Sequence, residues 1–166
     1  FSSKAPTSLF EFTLMTGTMM KQYAVKKVIS HSFGSVPVTY SLMINPDLHL
    51  EKHVLLTTPD KFTERIDQVA DRIGFSDKTK TQLIKLIEAE TKMKISELNV
   101  SEFVQNIKVD QALILHDVKD KVIPVSQAMN VHRHWPQSSF KEVSGTGHFR
   151  ILRDPKVIEE VVRFLR

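Results

Sequence analysis

Three short stretches carry side chains that could do covalent chemistry together. In Val28-Ile29-Ser30-His31-Ser32-Phe33-Gly34-Ser35, an apolar run leads to a serine with small residues two before and two after it. In Leu113-Ile114-Leu115-His116-Asp117-Val118-Lys119-Asp120-Lys121-Val122-Ile123-Pro124, an apolar run leads to an acidic turn. Ser144-Gly145-Thr146-Gly147-His148-Phe149 places a histidine in a glycine-rich turn. A serine hydroxyl is a poor nucleophile at neutral pH and needs a base within hydrogen-bond reach. A histidine can take that proton and return it to a leaving group, and a carboxylate behind it holds the imidazole in the productive tautomer. At this level the assignment stays open. Asp117 rivals Asp120 as the acid, and His31, His116, His132 and His134 rival His148 as the base.

These residues need elements to hold them. The apolar run ending at Ile29 predicts a strand, and Val36, Pro37, Val38, Tyr40 and Leu42 predict a helix, so Ser32 falls at the tip of a tight strand-to-helix turn. Such a turn brings strand and helix backbones together, which predicts that Ser30 and Gly34 are small for steric reasons. Ser8-x-x-Glu11 reads as a capping box. It is followed by Phe12, Met15, Met19 and Tyr23 at helical spacing, expected to pack into the core, with Gly17 weakening the helix. Asn45-Pro46-Asp47 is a stop, and Leu50 to Leu56 reads as a buried strand. Thr58-Pro59 predicts a helix start with proline at the first helical position. Phe62, Ile66, Val69 and Ile73 continue that helix until Gly74 closes it. A second helix starts at Ser76 or Asp77, with Leu83, Ile84 and Ile87 on one side, and short turns fill 96–107. Then come a strand at 112–115, a helix at 125–134, a strand at 140–143 and a final helix opened by Asp154-Pro155. Strands alternating with helices imply a parallel sheet, and ligands bind at the carboxyl ends of its strands. Ser32, Asp120 and His148 each follow a strand, so all three are expected on that edge.

Serine, then acid, then histidine, each at a strand end, resembles the chain order of the α/β-hydrolase fold, in the manner of bacterial serine esterases. The resemblance covers nearly the whole chain and implies an α/β fold, a parallel sheet flanked by helices. It implies a triad of Ser32 as nucleophile, His148 as base and Asp120 as acid, since the family sets the acid four residues before a proline, here Pro124. Asp117 then takes a turn-forming role, His31 is the structural middle residue of the nucleophile elbow, and His116 packs beneath the acid turn. The N–H of Phe33, the residue after the serine, is implied as one oxyanion donor. The loop that supplies the second donor in the family, and the first four strands, have no counterpart in this sequence. The chain therefore resembles a partial α/β-hydrolase domain over 1–166. It divides into 1–58 with the first helix, the elbow strand and the next strand, 59–108 as a helical cap insertion, and 109–166 with the acid and the histidine. Phe62, Ile66 and Phe75 would line a substrate pocket under the cap or fasten the cap to the body. Two functions follow: a carboxylesterase-like or lipase-like hydrolase acting on a small-molecule acyl ester or thioester, or an incomplete, non-catalytic scaffold used for binding.

Composition narrows the rest. The 166 residues are 41% hydrophobic and 25% charged, ordinary for one globular domain. No cysteine is present, which excludes disulfides and thiolate metal sites; a cytoplasmic location is the expectation. The net charge of +4 is scattered among acids without interleaved aromatics, which argues against nucleic-acid binding. No apolar run reaches the roughly 18 residues of a membrane span. His132 and His134 lack a carboxylate at ligand spacing, so neither metal nor cofactor is expected. With its family neighbour missing, the elbow strand would be an apolar edge, which predicts self-association or association with an N-terminal part.

Overall fold

The computed structural model describes residues 8–166; the first seven residues, where the sequence opens with Phe1, lie outside the described part. Four parallel strands form the sheet: β1 (Lys27–His31), β2 (His49–Leu56), β3 (Lys108–Asp117) and β4 (Ser138–Val143), in the order β1-β2-β3-β4. Ile29 lies opposite Val54, Val54 opposite Leu113, and Leu113 opposite Ser139. β3 runs longer than its apolar stretch because Lys108 and Val109 pair with His49 and Leu50. Among the described residues β1 has a neighbour on one side only.

Strand side chains alternate between the two faces of a sheet. Leu50, Leu55, Ala112 and Ile114 join one core, while Val54, Leu56, Leu113 and Leu115 join the other. Both faces are covered, which is why β2 and β3 read as continuous apolar runs rather than alternating ones. The first core is packed by α1 (Leu9–Gln22), α2 (Ser35–Ile44), α5 (Val100–Phe103) and α6 (Val125–Arg133), with Tyr40 stacked on Phe103. The second is closed by α8 (Pro155–Leu165) through Val157 and Val161, with Ile151 beside them. Asp154 caps α8 by accepting from the N–H groups of Lys156 and Val157. Between β2 and β3 the chain forms α3 (Phe62–Ile73) and α4 (Asp77–Thr91), then short turns and α5.

Two expectations are corrected here. α1 begins with the capping box Ser8–Glu11, but its Met15, Met19 and Tyr23 face outward, Tyr23 being 63% exposed. The buried face is instead Thr13, Gly17 and Met20. A Cβ on Gly17 would stand 2.6 Å from Ser41 Oγ, so this glycine is what lets α1 lie close on α2. The helix expected from Thr58-Pro59 starts later, after Lys61. Thr58 and Asp60 are occupied in fastening: Thr58 Oγ1 bonds Ser35 Oγ at 2.7 Å, and the Asp60 carboxylate accepts from Ser101 N–H and Asn130 Nδ2. Gly74 closes α3 with φ +77, as its left-handed cap requires.

Candidate active site

Ser32 directly follows β1 with φ +53, a left-handed backbone that costs energy for any residue with a Cβ. A 3-10 turn over Ser32–Gly34 carries the chain into α2. Ser35 Oγ ties the turn by donating to the Ser32 carbonyl at 2.8 Å. Behind it Ser30 is buried and its hydroxyl bonds His53 Nε2 at 2.9 Å. The steric reading of Gly34 is corrected: a Cβ there would meet nothing within 4 Å among the described residues, and its φ of −59 suits any residue. Ser30 is the position that packing holds small.

Asp120 sits in the turn after β3 with its side chain fully buried. Oδ1 accepts from the N–H groups of Val122 and Ile123 at 2.7 and 3.0 Å, which fixes the carboxylate plane. Oδ2 accepts from His148 Nδ1 at 2.8 Å. His148 follows β4 at the start of α7 (Gly147–Arg150), and its Nε2 lies 2.9 Å from Ser32 Oγ. The hydrogen bonds assign the tautomer: Nδ1–H donates to Asp120, so Nε2 carries the lone pair that accepts from the serine hydroxyl. The three side chains anticipated from the sequence thus come together at the carboxyl ends of β1, β3 and β4.

The rival residues are placed as well. Asp117 does not touch His148's ring; its carboxylate takes backbone donors of the histidine loop. His116 is buried, donates from Nε2 to the Ile123 carbonyl at 2.9 Å, and stands 3.6 Å from Asp120 Oδ2. Burial holds its pKa below the ordinary 6.5. His132 and His134 bond Ser138 Oγ and the Asn130 carbonyl near the end of α6. His31 does more than end β1: its Nε2 donates to the His148 carbonyl at 2.8 Å, and the two ring centroids lie 5.0 Å apart. That bond was not legible in the sequence, because it joins residues 117 positions apart.

A cavity of about 300 Å³ opens from Ser32 and Phe33 toward α3 and α4, walled by Phe62, Ile66, Leu83 and Ile87. Phe62 and Ile66 are therefore at the cavity as expected. Phe75 is not: it follows the Gly74 cap, is 38% exposed, and contributes no wall, because the left-handed cap turns the chain away there.

No family model matches the sequence, and no curated protein matches it. Solved structures do. A lipase-esterase related protein from Clostridium acetobutylicum superposes with a TM-score of 0.64 at 15% identity, over 98% of this chain and 78% of that one. The monoacylglycerol lipase of Paleococcus ferrophilus gives 0.62 at 17% identity, over 98% and 75%. An α/β hydrolase from a lagoon-sediment metagenome gives 0.63 at 20% identity, over 97% and 70%. The chain has the α/β-hydrolase fold. Within that fold, the turn at Ser32 lies between β1 and the helix α2 that follows it. Among the described residues no helix is long and apolar enough to cross a membrane.

Proposed function

We propose that this site hydrolyses an ester or thioester through an acyl-Ser32 intermediate. The observation that carries the reading is the unbroken chain Ser32 Oγ, His148 Nε2, His148 Nδ1, Asp120 Oδ2, with links of 2.9 and 2.8 Å. In the first half-reaction Nε2 takes the Ser32 proton as Oγ bonds the carbonyl carbon. Asp120 stabilises the imidazolium, and the Phe33 N–H, at the entrance to α2, donates to the oxyanion. The imidazolium then protonates the alkoxide or thiolate as its bond to the carbonyl carbon breaks. In the second half a water attacks the acyl carbon and gives a proton to Nε2, the acyl–Oγ bond breaks as Nε2 returns that proton to Ser32 Oγ, and the acid leaves.

The cavity supports an apolar acyl group. The space of about 300 Å³ beside Ser32 is lined largely by apolar side chains, Phe62, Ile66, Leu83 and Ile87 among them. Its walls from α3 and α4 support a cap role for residues 59–108, and a chain of medium length suits it better than acetyl. The test is a fluorophosphonate probe combined with a series of chromogenic esters of rising acyl length. Labelling at Ser32, lost in Ser32→Ala, with turnover peaking at medium chains, is the expected result. Absence of both labelling and turnover would leave a binding scaffold, and turnover that survives Ser32→Ala would remove the acyl-Ser32 mechanism.

A further inference from the structure

Asp117 ends β3, is fully buried, and stands outside the Ser32–His148–Asp120 chain. Its carboxylate is gripped from two directions. Oδ1 accepts from Lys119 N–H at 2.7 Å, inside its own turn. Oδ2 accepts from Thr146 N–H at 2.6 Å, Gly147 N–H at 2.7 Å and Thr146 Oγ1 at 2.9 Å. Its carbonyl accepts from Asp120 N–H at 3.0 Å. One residue therefore holds both the turn that carries the acid and the loop that carries the base.

The loop needs such a hold. The pairing of β3 with β4 ends at Asp117 and Val143, so residues 144–146 run on without a strand partner. Gly145 and Gly147 have φ of +87 and +60, and glycine loses more conformational freedom on ordering than any other residue. Oδ2 takes its bonds on the two residues immediately before His148. Burial alone would raise the Asp117 pKa, but the hydrogen bonds from Gly147, Lys119 and Thr146 outweigh it and hold the carboxyl below the usual carboxylate value. The charge is thus present at neutral pH to meet four donors. From the other side His31 Nε2–H fixes the His148 carbonyl.

We propose that Asp117 is a positioning residue for His148, tying the histidine loop to the acid turn so that the imidazole stays in line with both Ser32 and Asp120. The proposal rests on the acyl-Ser32 reading for its rate measurement but not for its spectroscopic one. Asp117→Asn keeps one acceptor oxygen for the loop donors and loses the charge. Asp117→Gly loses both grips. Two readouts apply to each variant: the second-order rate of fluorophosphonate labelling per folded molecule, and the imidazole NMR signal of the His148 Nδ1–H, assigned by its absence in His148→Ala. A misplacement of about 1 Å can cost about a hundred-fold in rate. The expected order is parent, then Asn, then Gly, with the Gly variant slower by about a hundred-fold and its Nδ1–H lost to solvent exchange. Partial rescue by Asn separates positioning from bulk stability, since a residue that served only the fold would lower the melting temperature and leave the rate per folded molecule intact. A rate within about two-fold of the parent in the Gly variant, with the Nδ1–H signal unmoved, overturns the proposal. A parent chain that the probe does not label would sink the acyl-Ser32 reading, and the Nδ1–H signal would then decide the role of Asp117 by itself.

Discussion

His53 makes the fold sensitive to acid. It lies on β2, fully buried, with its ring edge against Trp135 at 6.0 Å and Nε2 on Ser30 Oγ. Its Nδ1 has no hydrogen-bond partner among the described residues. Burial pushes its pKa down from 6.5 to about 3. Above pH 6.5 the ring is neutral in both the folded and unfolded chains, and stability does not depend on it. As pH falls below 6.5 the unfolded chain takes up a proton that the folded chain refuses, so stability declines until about pH 3. At about 1.4 kcal/mol for each pH unit, the loss is about 2 kcal/mol at pH 5 and about 5 kcal/mol at pH 3. A domain whose total stability is about 5–15 kcal/mol can be unfolded by that. His116, also held down by burial, acts in the same direction. The perturbation is His53→Gln, which keeps a polar group for Ser30 and does not titrate. Urea melts at pH 7 and pH 5 should show the parent losing about 2 kcal/mol more than the variant. Equal losses in the two proteins would refute the reasoning, for they would mean that the ring reaches solvent or a partner when charged.

Two further substitutions test the packing around the elbow. Gly17→Ala should destabilise by about 1–3 kcal/mol despite alanine's better helix propensity, because the new Cβ meets Ser41 Oγ at 2.6 Å; an unchanged or raised melting temperature would show that α1 sits more loosely on α2. Ser32→Gly should raise thermal stability by up to about 1 kcal/mol by relieving the φ of +53 while abolishing probe labelling; a fall in stability would mean that the serine's own bond to His148 outweighs its backbone strain.

The sequence carried the meeting of Ser32, Asp120 and His148 more faithfully than the packing around them. Ser32, Asp120 and His148 could be picked out because each follows a strand read from the sequence, and strands of a parallel sheet deliver their carboxyl ends to one edge. The outward face of α1 could not be read the same way. Met15, Met19 and Tyr23 keep helical spacing, but spacing reports a face and not what covers it. The face that packs is marked by small residues, Thr13 and Gly17, whose value is close approach rather than hydrophobicity. Thr58-Pro59 likewise has the composition of a helix start, yet tertiary bonds from Thr58 to Ser35 and from Asp60 to Ser101 and Asn130 claim the segment as a brace.

The same distinction explains why the sequence left Asp117 as a rival acid until the resemblance gave it a turn-forming role. Two aspartates three positions apart look interchangeable in a sequence, and both lie buried in the fold. What separates them is the kind of donor each meets. Asp120 gives one oxygen to backbone N–H groups and keeps the other for an imidazole that can change its charge. Asp117 spends both oxygens on a hydroxyl and on backbone N–H groups, which cannot. A carboxylate facing only permanent donors can hold a geometry but cannot answer a proton transfer, whereas one facing a histidine can stabilise the cation that the transfer creates. Asp120 is therefore distinguished by the histidine it faces, and Asp117 by the loop it anchors.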